Sequence, residues 1–215
     1  MKSLPLILLN FKTYPEALGK EELALAKKIA RFKTDRYQIV IAPTLPLLKE
    51  VVENVTISVF AQHADPVESG AHTGSISVKE LKNIGVQGTL LNHSEKKVPF
   101  FLLKKTIILC RQYHLTTVVC ASSLTEVKKI APFKPDYIAY EPTELIGGNI
   151  SVTKAKPEII AQAVRASSVP VLCGAGIQGR DDIMKALELG AKGVLIGHAV
   201  ARAKNPKKFL EGMLG

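Results

Sequence analysis

Tryptophan is absent from this sequence, and cysteine occurs three times, as Cys110, Cys120 and Cys173. Three thiols cannot all pair within one chain. Cys120 and Cys173 close apolar runs, so reduced, buried thiols in a cytoplasmic protein are expected. No Cys/His spacing suggests a zinc site. No apolar run approaches the ~20 residues that a membrane-spanning helix needs. The opening "MKSLPLILLNF" is apolar only briefly, reaches Asn10 and lacks a small-residue cleavage site, so it is read as a first strand. No Pro/Ser/Gly-rich linker and no low-complexity tract divides the chain, so residues 1–215 are read as a single domain.

Acidic residues are outnumbered, 19 against 29 basic ones, and the net charge is +10. The cations are mostly lysines scattered through helical stretches such as "EELALAKKIARFK", without interleaved aromatics. That pattern fits a solvated surface. No RNA- or DNA-binding motif is present, so no nucleic-acid partner is expected. A positive field still speeds encounter with a phosphorylated small molecule.

What is there in quantity is short apolar runs: "PLILLN", "YQIVIAP", "TISVFAQ", "GTLLNH", "TTVVCA", "YIAYEP", "PVLCGAG" and "GVLIGH". Most are near-continuously apolar, as parallel strands covered on both faces must be. Between them lie stretches of helical period, such as "PFFLLKKTIILCRQY", "PEIIAQAVRAS" and "RDDIMKALELG". Eight alternating strand–helix units predict an α/β chain closed into a (β/α)8 barrel, a TIM barrel, for which a single domain of about 200–250 residues is ordinary. A doubly wound open sheet would want a glycine-rich fingerprint after its first strand. Here that strand ends in "NFK". The stretch 62–78, "QHADPVESGAHTGSISV", is a long loop of the kind that carries function or an interface.

In such a barrel the chemistry sits at the C-terminal ends of the strands. Asn10 and Lys12 are two apart and face one side, with Phe11 facing the other. His93 ends the fourth run, and a helix is expected from near Ser94, whose positive N-terminus would disfavour imidazolium. Glu95 is placed either to pair with Lys12 or to serve as a first-turn helix carboxylate. Glu141 ends the sixth run, and Pro142 confines it to extended backbone. A carboxylate in apolar surroundings gains proton affinity, as a general base near neutral pH requires. Residues 142–149, with Leu145, Ile146, Gly147 and Gly148, read as a lid, followed by a helix from about Pro157. Glycines after the seventh and eighth runs, Gly176 and Gly197, allow backbone N–H groups to approach a phosphate. Each feature alone also has a purely structural explanation.

Taken in register, "NFK", "NHSEKK", "AYEPTELIGG" and the two glycine turns resemble the triosephosphate isomerase family from Asn10 to about Pro206, and "SGAHTG" with "ELIGG" resembles its compact archaeal forms. The resemblance implies an aldose–ketose isomerase of glycolysis and gluconeogenesis, acting on triose phosphates in the cytoplasm without metal or organic cofactor. It implies Glu141 as base, His93 as neutral electrophile, Lys12 as the cation beside the enediolate, Asn10 as a site-holding residue and Glu95 as the partner of Lys12. Phe11, Ile146, Gly147, Gly176, Gly197 and His198 would line the substrate site. It also implies a homo-oligomer, commonly a tetramer, with Thr73 reaching a neighbouring subunit. Three departures stand out: Gly147-Gly148-Asn149 in the lid, Gln178, and His198 where glycine or serine is usual. His198 either adds a charge-assisted side-chain contact to the substrate phosphate or offers it only a backbone N–H. The rivals are another phosphate-binding barrel enzyme, or a non-catalytic barrel that only binds a phosphometabolite.

Overall fold

The structure is a computed structural model, and it describes residues 4–142, 157–203 and 205–215. Eight strands run in chain order: β1 Leu6–Asn10, β2 Gln38–Ala42, β3 Ser58–Ala61, β4 Gly88–Leu91, β5 Thr116–Ala121, β6 Tyr137–Tyr140, β7 Val171–Cys173 and β8 Gly193–Ile196. Every neighbouring pair is parallel, and β8 closes onto β1 with Leu6 opposite Gly193. The helices are α1 Lys20–Ala30, α2 Leu48–Asn54, α3 Val78–Asn83, α4 Phe100–Gln112, α5 Leu124–Ile130, α6 Pro157–Ala166, α7 Arg180–Glu188, α8 His198–Ala201 and α9 Pro206–Leu214. The chain folds as the expected (β/α)8 barrel, each strand lying inside one of the eight apolar runs.

The continuous apolarity of the strands follows from two separate cores. Leu6, Leu8, Val40, Phe60, Val118 and Leu172 fill the barrel interior. Ile7, Leu9, Ile41, Val119, Ile138 and Val194 pack outward against helix residues such as Ile29, Leu103 and Ile183. Successive side chains on a strand alternate between these layers. This alternation aims the strand ends. Leu6 and Leu8 point inward, so Asn10 continues the inward row at the mouth. On β6, Ile138 and Tyr140 point outward and Ala139 inward, so Glu141 is next to face in. At the barrel seam, a side chain on Gly193 would overlap the Leu6 carbonyl, and its φ of 147° is one that L-residues rarely adopt.

Local polar contacts fix the connections. Ser77 and Ser123 cap α3 and α5 by accepting from the Glu80 and Glu126 N–H groups. The buried Glu22 of α1 accepts from both the Thr44 N–H and its hydroxyl, tying the first helix to the loop after β2. Cys110, Cys120 and Cys173 are free and buried, as expected.

One expectation is overturned. No helix starts at Ser94. Residues 94–96 form a turn closed by the Lys96 N–H on the His93 carbonyl at 2.8 Å, and α4 begins only at Phe100. Two residues explain this. Pro99 bars the residue before it from helical backbone. Asn92, in left-handed backbone (φ 57°), donates to the Cys120 carbonyl and accepts from the Val98 N–H, which holds the 93–98 segment as a loop.

Candidate active site

The C-terminal ends of β1, β4, β6, β7 and β8 surround a pocket of about 400 Å³. Asn10, Lys12, His93, Glu95, Glu141, Gly176, Gly197 and His198 all line it. One residue expected there does not. Phe11 is fully buried in the layer between barrel and helices, because strand alternation turns it away from the mouth. Thr73, expected to reach a neighbouring subunit, is exposed on the loop before α3. Ile146, Gly147 and the lid from residue 143 onward lie outside the described residues.

Lys12 has left-handed backbone, φ 50°, which is uncommon for a residue other than glycine. Its neighbours impose this. The Asn10 Oδ1 accepts from the Lys12 N–H at 3.0 Å, and Gln62 Nε2 donates to both the Lys12 and the Ala42 carbonyls. The result aims Lys12 Nζ at Glu95 Oε1, 2.7 Å away. The backbone N–H of Glu95 donates in turn to His93 Nδ1 at 3.2 Å. A ring nitrogen that accepts carries no proton, so the neutral His93 bears its proton on Nε2. Burial, with the Lys12 charge as the next cause, holds the His93 pKa below its ordinary value. Its neutrality therefore comes from desolvation and a nearby cation, not from a helix terminus.

His93 Nε2 lies 3.7 Å from Glu141 Oε2. Glu141 is 5% exposed, and Oε2 is buried without a hydrogen-bond partner among the described residues. Burial pushes the Glu141 pKa up to about 7, against a smaller opposing hydrogen bond from Cys120. The Cys120 thiol is itself held well above its ordinary pKa by burial, so it stays protonated and can only donate to the carboxylate. Gly174 is required beside it, because a Cβ there would overlap Glu141 Cγ. Across the pocket, Gly176 (φ 64°) and Gly197 present backbone, and a Cβ at 197 would crowd Lys12 Cε.

A buried carboxylate poised near neutrality thus faces a neutral N–H donor, with a lysine beside them and a glycine-lined wall opposite. A family model described as triosephosphate isomerase matches residues 5–213. The chain belongs to the triosephosphate isomerase family. Among relatives of that name, the protein of Methanothermus fervidus is 42% identical over 216 residues, covering 98% of this chain and 97% of its own. That of Methanocaldococcus jannaschii is 41% identical, with 97% and 98% covered. That of Archaeoglobus fulgidus is 39% identical, with 100% and 99% covered.

Within this family frame, four neighbours of the reacting groups escaped sequence reasoning: Gln62, Cys120, Gly174 and Tyr14. Cys120 had a readable signal, since it shares the inward row of β5 with Val118. Gln62 directly follows the third strand. Gly174 and Tyr14 carry no signal without the packed neighbours. Among the described residues no group of three or more His, Cys, Asp or Glu converges as metal ligands, and no helix is long and apolar enough to cross a membrane.

Proposed function

We propose that this chain is a triose-phosphate isomerase, interconverting D-glyceraldehyde 3-phosphate and dihydroxyacetone phosphate through an enediolate. The observation that carries the reading is the pairing of a partnerless Glu141 Oε2 with the protonated Nε2 of a neutral His93, 3.7 Å apart. Glu141 takes a proton from the carbon next to the substrate carbonyl, and the electron pair moves onto the carbonyl oxygen. The Nε2–H of His93 donates to that oxygen as its charge grows, and Lys12 Nζ balances the charge. Glu141, now protonated, returns the proton to the neighbouring carbon, which completes the exchange of aldose and ketose. A base works best when its pKa lies near the working pH, and burial brings Glu141 to about 7. Fixed donors aimed at a developing oxyanion contribute about 3–4 kcal/mol each in a dry site.

Asn10 holds the Lys12 backbone, and Glu95 orders both the Lys12 ammonium and the His93 ring. The glycine wall at Gly176 and Gly197 receives the phosphate, and Ile146 and Gly147 belong to the lid over it. The chain acts in the cytoplasm, in glycolysis and gluconeogenesis, as one domain over residues 1–215. It assembles as a homo-oligomer, with a tetramer favoured over a dimer. The exposed position of Thr73 on its long loop suits contact with a second subunit.

The test is direct conversion of glyceraldehyde 3-phosphate to dihydroxyacetone phosphate, with Glu141→Gln as the control. Rapid turnover that collapses in the variant supports the reading. Tight binding of the triose phosphate by folded protein without turnover would instead establish a binding-only barrel.

A further inference from the structure

His198 stands at the rim of the same pocket, on the short helix α8 directly after Gly197. Its ring packs against Tyr14, with centroids 5.8 Å apart. Arg202 sits one helical turn further on. Its Nη1 lies 3.4 Å from His198 Nε2, and its Nε is bound to Glu16 Oε1 at 3.0 Å. A guanidinium has no acceptor, so this contact requires a lone pair on His198 Nε2. The ring proton then resides on Nδ1. Among the described residues no protein group accepts from Nδ1. The ring therefore brings a fixed, unused N–H donor to the rim beside the glycine wall.

We propose that His198 is a further substrate-binding residue, donating through Nδ1–H to the substrate phosphate, and that Arg202, anchored by Glu16, is the positioning residue that sets its tautomer. This rests on the isomerase reading, which puts the phosphate at the Gly176–Gly197 wall. It specifies how a charge-assisted contact from His198 would form, with the phosphate carrying the charge and the ring supplying the N–H. An imidazolium would have no lone pair for Arg202, so the ring serves as a neutral donor. The assignment is specific to this chain, because a glycine or serine at position 198 has no ring to orient.

The experiment uses the wild-type protein and three variants, His198→Ala, His198→Asn and Arg202→Met. Two quantities are read: the KM for triose phosphate, and the inhibition constant of sulfate, a phosphate-sized dianion, as a competitive probe. Loss of one hydrogen bond to a charged group is expected to raise both about tenfold in His198→Ala, with a smaller fall in kcat. Asparagine places an amide N–H near the Nδ1 position, so His198→Asn is expected to recover most of that loss. Arg202→Met is expected to weaken sulfate about threefold, since the pair it breaks is exposed. An unchanged sulfate constant in His198→Ala, in protein that still turns over, overturns the side-chain contact. An asparagine variant no better than alanine overturns the Nδ1 assignment, and an unchanged Arg202→Met overturns the positioning role. If wild-type protein neither turns over nor responds to sulfate, the isomerase reading itself has failed, which is a different result from any of these.

Discussion

Glu141 Oε2 and His93 Nε2 lie 3.7 Å apart, too far for a direct hydrogen bond and close enough for both to contact neighbouring atoms of one substrate. Their titrations run in opposite directions. Burial raises Glu141 to about 7 and lowers His93 below its ordinary value. The competent state has Glu141 ionised and His93 neutral. As pH falls, Glu141 gains its proton first. The expected kcat/KM profile rises through a single ionisation near pH 7 and is flat above it. A nitrogen NMR titration is expected to show His93 neutral with its proton on Nε2 from pH 8 down past the ordinary histidine range. A ring that charges near pH 6.5 would contradict this.

The same burial costs stability. The folded pKa of Glu141, about 7, exceeds the ordinary 4.5. A raised carboxylate pKa means that the folded state prefers the protonated form. The penalty is absent below about pH 4.5, grows through the interval and is complete above pH 7. By linkage it amounts to roughly 3 kcal/mol. Glu141→Gln is therefore expected to be more stable than the wild type at pH 8, with the gain disappearing by pH 4.5. Urea unfolding at the two pH values measures it.

Cys120 donates to the Glu141 carboxylate and so favours its ionised form. Cys120→Ala removes that donor. The acid limb of the kcat/KM profile is expected to move to higher pH, while Cys120→Ser, which keeps a donor, moves it less. A pH–rate series on the three proteins decides this.

Lys12 and Glu95 form a pair at 2.7 Å, with side-chain exposures of 17% and 59%. An ion pair exposed on one side contributes at most about 1 kcal/mol to folding. Glu95→Gln is therefore expected to leave the urea midpoint nearly unchanged. It is expected to lower kcat/KM, because Lys12 loses its ordering carboxylate while the Glu95 backbone N–H that orients His93 remains. Lys12→Met removes the cation itself, with an expected loss of roughly 100- to 1,000-fold in kcat/KM.

Much of this was legible in the chain. The eight apolar runs gave the barrel because both faces of a parallel strand are covered, and that leaves a periodic trace. Asn10, Lys12, His93 and Glu141 were legible as polar residues at the ends of those runs. The turn after His93 was not, because Ser94-Glu95 has the composition of a helix start. Asn92 overrides it through a contact that depends on β5 being alongside, and Pro99 adds a local backbone restriction. Cys120 was read as a core thiol. Its hydrogen bond to Glu141 exists only because β5 and β6 pair in register. Arg202, Glu16 and Tyr14 meet at His198 from separate parts of the chain, and no spacing rule links them. Phe11 was drawn into the site by its neighbours, although strand alternation already turned it outward.

The central claim is that Glu141 carries a proton between adjacent carbons of the substrate. It is tested most directly by running the isomerisation in deuterium oxide and examining the product by NMR. Glu141 exchanges its proton with solvent while the enediolate exists, so carbon-bound deuterium is expected in the product, and its appearance should collapse in Glu141→Gln. A product formed at full rate with every carbon-bound hydrogen retained would contradict proton transfer through Glu141.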